Sequence, residues 1–426
     1  MNLCKYLNKF ENLLKKTRCF NLHLESPQIN DLLSQFFNQL NDIQHHLQNS
    51  HWTKINVQIT EVNIKHLWPK TDLKDGFPEG FKSIIKEKMK FQLTYQTILY
   101  GKTINIYFFS EKKDSIKNLF NQISLMLMWL SYIISVSKSD SNCCKILTIY
   151  FYKLDHNKKI PNNPTDRLHD HHVNSAFTYC CVPNNEIIIF REEEWFKVFI
   201  HETFHSFGLD FARQENNKIN ESLKEVFGLN ITYNLTESYC ESWARIINII
   251  FCAYWTKNHH KNFDQFQKEF YKLMKLEVFF SVLQMVKVLE FHHLEYDKII
   301  SLSRSLTNKS VSNKSVTNNS VTNKSLSTDM QNYKESTPVF SYYVLTCVNL
   351  MNLNSFITWC SRNNTIIFNF DTHATNLDTY VQFIKKLCTN KYLLKNISCI
   401  QTLFKHNDDD WLNNTLRMSI NQISFI

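Results

Sequence analysis

The chain is predicted to be an α+β protein, on three observations. Apolar and polar residues alternate through much of residues 51–110, as at Phe91, Leu93 and Tyr95, the period-two signature of half-buried strands. From about residue 192 the spacing turns helical and mostly stays so. The 426 residues are 43% hydrophobic and 14% aromatic, enough apolar volume for a sizeable core and too much for wholesale disorder. With only 5 Gly, a glycine-rich phosphate loop, a dinucleotide fingerprint or a bladed repeat has nowhere to sit.

Residues 1–50 read as an N-terminal helical segment of two amphipathic helices. The second follows the cap-like Ser26-Pro27 and carries Leu32, Leu33, Phe36, Phe37 and Leu40 at helical spacing. A mixed, mostly antiparallel sheet is expected within residues 51–250. Ile55, Val57 and Ile59 would form its first strand; Ile104, Ile106 and Phe108 continue the alternation beyond a turn at Gly101. A helix is predicted over 113–137. Its stretch Phe120–Val136 is borderline for a membrane span, and Asn121, Gln122 and its serines assign it to the protein interior. Strands follow at Ile146–Leu154, Val173–Cys180 and Glu186–Phe190, with a turn at Pro183-Asn184-Asn185. A helical extension occupies 251–300. Ser301–Asp329 is a degenerate Ser/Asn/Thr/Lys/Val repeat, unable to bury enough apolar surface to offset its ordering entropy. It is expected to be a disordered linker, 301–330, before a C-terminal helical region, 331–426.

The formal charge of +9, from 48 Lys+Arg against 39 Asp+Glu, is spread without a block of like charges. It reads as a solvated lysine-rich surface, so neither nucleic acid nor a membrane is an expected partner. Charges interrupt every apolar run of MNLCKYLNKFENLLKK, which therefore lacks a secretory core. The expectation is an intracellular protein with its 12 Cys reduced. No C-x-x-C pair occurs, and the doublets Cys143-Cys144 and Cys180-Cys181 suit no single metal ion.

The chemistry concentrates in WFKVFIHETFHSFGLDF, residues 195–211. His201-Glu202-Thr203-Phe204-His205 has the form H-E-x-x-H, which on a helix sets two imidazoles one turn apart on one face. Two ring nitrogens then reach one zinc ion, and the glutamate beside them is placed to take a proton from a water at the open position. The helix is expected to begin with Glu192, Glu193 and Glu194 in its first turn and to end at Gly208. Its uncharged middle marks it as buried, where two His and one Glu are costly unless something satisfies them. The residues alone leave the third ligand open. Glu237 and Glu241, spaced i and i+4, are candidates, as are Glu221 with Glu225, Asp210, and the cluster His169-Asp170-His171-His172.

On these residues the chain resembles the gluzincins, the thermolysin-like zinc metallopeptidases, whose H-E-x-x-H helix is followed by a helix bearing a Glu ligand with an acid four residues later. Glu237–Glu241 and Glu221–Glu225 both match that spacing. Val173-Asn174-Ser175-Ala176-Phe177 resembles the family's edge-strand motif, with Ser175 inserted. Residues 146–250 are similar to uncharacterised metallopeptidases of large DNA viruses, and the segment Glu237–Ala244 resembles the one that follows the zinc helix there. The resemblance implies a zincin-like fold whose sheet packs on the zinc helix, with a largely helical C-terminal lobe. It further implies one Zn2+ per chain held by His201, His205 and Glu237, with Glu202 as base and Glu241 orienting a ligand histidine. Asn174 and Ala176 would bind a peptide or protein substrate, inside a host cell or virion. It leaves the residue that stabilises the transition state among Tyr233, Tyr239, His292 and His293. A metzincin pattern would use Gly208, but its third-ligand position is Phe211, which binds no metal. The alternative function is a structural or virion interaction protein that keeps the zinc fold without turnover.

Overall fold

The computed structural model describes residues 3–49, 59–113, 116–137, 142–163, 167–214, 217–256, 261–301, 328, 330, 333–405 and 408–423. The expected strand residues Ile55 and Val57 and nearly all of the predicted 301–330 linker lie outside them. Two helices open the chain, α1 (Leu3–Lys16) and α2 (Pro27–Asn49). The Ser26 hydroxyl accepts from Ile29 N at 3.3 Å, as an N-cap should.

A single six-stranded sheet follows: β1 (Ile59–Glu61), β2 (Phe91–Leu99), β3 (Lys102–Ser110), β4 (Ile146–Tyr152), β5 (Ala176–Thr178) and β6 (Asn184–Ile189). Their order is β1-β2-β3-β4-β6-β5. The pairings β1/β2, β2/β3 and β5/β6 are antiparallel, while β3/β4 and β4/β6 are parallel, with Ile106↔Ile149 and Ile149↔Ile187 in register. The α+β expectation with a mixed, mostly antiparallel open sheet is met. Strand β4 and the Ile187–Ile189 half of β6 read as nearly continuous apolar runs because both of their faces are covered. Asn184 and Asn185 already belong to β6, so the chain turns earlier than the Pro183-Asn184-Asn185 turn expected. Val173 likewise ends a short helix, α5 (Asp170–Val173), and strand β5 is only three residues long.

Between β3 and β4 runs α4 (Ile116–Val136). Asn118–Val136 is long and apolar enough to cross a membrane, and 72% of it is buried within this chain. Trp129 on this helix donates through its indole N–H to Thr203 Oγ1 at 2.7 Å, tying it to the H-E-x-x-H helix, α6 (Trp195–Phe207). A short helix at Phe81–Lys88, α3, precedes β2. A helix apolar on every side belongs in the interior, and in α6 only His205 escapes full burial. Gly208 terminates it at φ 66°, where a Cβ would come within 3.2 Å of Cys181. The three acids do not form its first turn: Glu194 precedes the helix at φ 60°. They lie before the helix because two of them are buried counter-ions, Glu194 to Lys158 and Glu193 to Arg417.

The remainder is helical: α7 (Asn217–Phe227), α8 (Leu235–Trp255) and α9 (Phe263–Phe291), then a π-helical turn (Ser341–Leu345) leading into α10 (Thr346–Met351). Beyond these come α11 (Leu353–Asn363), α12 (Ala374–Cys388), α13 (Lys391–Lys405) and α14 (Asp410–Asn414). One hydrophobic cluster runs from Phe10 to Ile423 and includes residues from α1, α4, α6, α8, α9 and α13. Four cysteines are joined, Cys19 to Cys399 and Cys143 to Cys181, which departs from the all-reduced expectation. Folding sets these pairs at Cα separations of 5.8 and 4.6 Å, within bridging range, across 380 and 38 residues of sequence.

Candidate metal centre

Helices α6 and α8 build the centre together. The Asn234 side chain caps α8 by accepting from Glu237 N at 2.9 Å, which sets Glu237 in the first turn and Glu241 one turn on, along the same face. That face meets the histidine face of α6. His201 Nε2 lies 3.1 Å from Glu237 Oε2 and 3.2 Å from His205 Nε2, and His205 Nε2 lies 3.7 Å from the same carboxylate oxygen. A tetrahedral zinc with ligands near 2.0–2.1 Å has ligand–ligand edges of about 3.3 Å. The three separations bracket that value.

The other ring nitrogens face carboxylates. His205 Nδ1 is 2.5 Å from Asp210 Oδ2, and His201 Nδ1 is 3.2 Å from Glu241 Oε2, the latter off the line of a full hydrogen bond. Each Nδ1 thus has a carboxylate that favours a proton on it, and both Nε2 atoms face the Glu237 oxygen. Two imidazole nitrogens and one carboxylate oxygen converging here, with carboxylates facing the far ring nitrogens, make a donor set that fits a divalent metal in place of the protons the rings otherwise carry. Glu241 is itself held by Lys197 Nζ at 2.9 Å and Arg245 Nε at 2.8 Å. Cys240 Sγ approaches Asp210 at 3.7 Å, closing the packing behind His205.

Electrostatics follow from this crowding. Burial pulls His201 down, but hydrogen bonding to Glu237 and Glu241 outweighs it and lifts the ring to about 9. Burial likewise opposes protonation of His205, and its contacts with Cys240, Glu237 and Asp210 raise it well above its usual value. Glu237 is held far below the carboxylate range, since the histidines overcome its own desolvation. Glu202 goes the other way: burial raises it, with His201 and His205 only partly offsetting that. A glutamate with raised proton affinity beside a metal position is suited to accept a proton.

The other sequence candidates lie elsewhere. Asp210 contacts His205 from behind rather than pointing its oxygen at the triad. Glu221 is exposed on α7, and its neighbour Glu225 pairs with Lys385 at 2.7 Å. The His169–His172 cluster is held within its own loop: His169 N donates to His172 Nδ1 at 3.0 Å, and His169 Nδ1 meets Ser336 Oγ. Ala176 opens edge strand β5 and lines the cleft beside Glu202 with Asn174, but the Asn174 side chain is engaged by Thr337 Oγ1 at 3.2 Å.

None of the four residues considered for transition-state stabilisation faces the triad. Tyr233 OH bonds to Leu229 O, Tyr239 OH to Phe368 O, and His292 and His293 follow the far end of α9. The tyrosine beside the triad is Tyr342, whose ring lies 6.2 Å from that of His201. Burial and the nearby Glu237 and Glu202 carboxylates push its phenol up. Tyr342 lies in the π-helical turn, an irregularity that recurs at functional sites and re-aims a side chain. Nothing in the local sequence marks it, because it stands far along the chain from His205 and in no recognisable motif. Only its place on a turn packed against α8 brings it in.

No protein-family model matches the chain, and neither the curated proteins nor the solved structures contain a significant match.

Proposed function

We propose that the protein is a zinc-dependent metallopeptidase. The observation that carries the reading is the convergence of His201 Nε2, His205 Nε2 and Glu237 Oε2, with Glu202 buried alongside them. His201, His205 and Glu237 would hold the ion, which when bound supplies Lewis acidity toward a water and a peptide carbonyl. Glu202 accepts the proton of the attacking water and passes it to the leaving amine, a role its raised proton affinity favours. Tyr342 is placed to donate its O–H to the carbonyl oxygen as negative charge grows there. Asp210 and Glu241 keep the two imidazoles in the tautomer that turns Nε2 inward. Among the described residues edge strand β5 pairs only with β6, through Ala176↔Ile189, Phe177↔Ile188 and Thr178↔Ile187, and a substrate backbone could add along its other side.

The test is metal content and peptide hydrolysis of wild type, Glu237→Ala and Glu202→Gln side by side. The expected outcome is one zinc per chain in wild type, weakened or lost in Glu237→Ala. Glu202→Gln should keep its zinc and lose about 10²–10⁴-fold in rate. Full activity in Glu202→Gln would remove that residue as the base, and a wild type that binds no zinc would end the reading.

A further inference from the structure

The cleft beside Glu202 is small, with room for water-sized occupants of about 30 Å³. A water needs only about 10–15 Å³, whereas pockets for whole drug-sized ligands run to hundreds. Three residues with hydrogen-bond donors, Ser175, Lys158 and Lys197, line the cleft. Ser175 is 4% exposed, and its Oγ has no hydrogen-bond partner among the described residues. Buried hydroxyls are nearly always partnered, so this one marks a place for a ligand atom. Lys158, 1% exposed, donates from Nζ to Glu194 Oε2 at 3.0 Å, and an ammonium carries three donors. Lys197 gives two to Glu241 and approaches only the weak acceptor Met418 Sδ, at 3.7 Å, with its remaining capacity. Val173, Ala176, Val198 and Met418 give the wall its apolar surface, and Glu202, Glu241, His201 and Tyr342 join it to the triad.

We infer that this recess binds the free C-terminal carboxylate of a peptide, so that the enzyme removes one small residue at a time from the C-terminus. The inference rests on the metallopeptidase reading and names its substrate class. A carboxylate supplies the acceptors that Ser175, Lys158 and Lys197 lack, and the tight apolar wall disfavours a bulky last side chain. In the step itself the water oxygen bonds to the last peptide carbonyl carbon and the C–N bond breaks. One proton of that water travels through Glu202 to the departing amine, giving a shortened peptide acid and a free amino acid. No other reactant is consumed.

The experiment uses the full chain loaded with zinc. Binding of Ala-Ala-Ala and of its C-terminal amide to the Glu202→Gln protein is measured by calorimetry, and hydrolysis of the N-acetylated forms of both peptides is measured with wild type. The acid should bind and be cleaved at least about tenfold better than the amide, and Ser175→Ala should shrink that preference by about tenfold, the effect of losing one hydrogen bond to a charged group. Lys158→Met should shrink it further; should that buried substitution prevent folding, Ser175→Ala still decides. Equal binding of acid and amide overturns the inference. So does equal cleavage of an amidated peptide with an interior Asp, which would assign the recess to acidic side chains. Zinc-loaded protein that prefers the acid in calorimetry yet hydrolyses nothing would leave the recess standing and overturn the peptidase reading instead.

Discussion

Replacing Asp210 with asparagine is expected to weaken zinc binding by about 10- to 100-fold, the range for losing a carboxylate that orients a ligand histidine. In free energy this is about 1.4–2.7 kcal/mol. Asp210 is 5% exposed, with Oδ2 2.5 Å from His205 Nδ1 and Oδ1 accepting from Ala212 N at 3.1 Å. Both oxygens are acceptors in use. Asparagine keeps the shape but has a single acceptor oxygen, for which His205 and Ala212 must compete. If the amide nitrogen turns toward His205, the ring has to present a lone pair at Nδ1, and its remaining proton then points into the triad where the metal belongs. Competition against a chromophoric chelator at neutral pH gives the affinity, and circular dichroism checks the fold. Affinity within about twofold of wild type would refute the orienting role. Complete loss of zinc with the fold intact would make Asp210 a direct ligand.

Other outcomes test separate parts of the reasoning. Tyr342→Phe should keep stoichiometric zinc while kcat falls about 10²-fold and KM changes little, as expected for a donor used mainly in the transition state; a fall confined to KM would contradict that placement. Glu335 accepts from Tyr333 OH and Phe340 N, each at 2.8 Å, yet burial lifts its carboxyl to about 7. Because the folded state then holds its proton more tightly than the unfolded one, its contribution is fully present below about pH 4.5 and disappears as pH rises through 7. The cost by pH 8 is about 2–3 kcal/mol, taking partial exposure into account. Glu335→Gln should therefore be more stable than wild type at pH 8 in urea unfolding and lose that advantage near pH 4.5. An equal difference at both pH values would contradict the burial argument.

How legible the protein was from its sequence depends on how local each feature is. Strand alternation at Phe91–Tyr95 and Ile104–Phe108 and the buried character of α6 follow from periods of two and 3.6 residues, and the Gly208 stop follows from backbone geometry. The meeting of His201 and His205 needs only the helical i, i+4 rule. The boundary near Glu194 was less legible, because the acids before α6 serve buried partners, Lys158 and Arg417, that come from distant segments. Spacing alone also could not separate Glu237 from Glu221: both begin an i, i+4 acid pair on a helix, and only packing turns α8 toward α6 while leaving Glu221 exposed on α7.

Residue order alone thus settles the chemistry carried on single elements: an amphipathic or buried helix, a strand, two imidazoles on one face with a glutamate between them. These depend on torsions and side-chain order within a few residues, which the chain carries wherever it folds. The remaining features come from packing between distant segments. Packing made Asp210 a support for His205, brought Tyr342 to the triad, engaged Asn174 with Thr337, and joined Cys19 to Cys399 across 380 residues. Such contacts arise only when one hydrophobic core, running here from Phe10 to Ile423, settles which faces of separate elements meet.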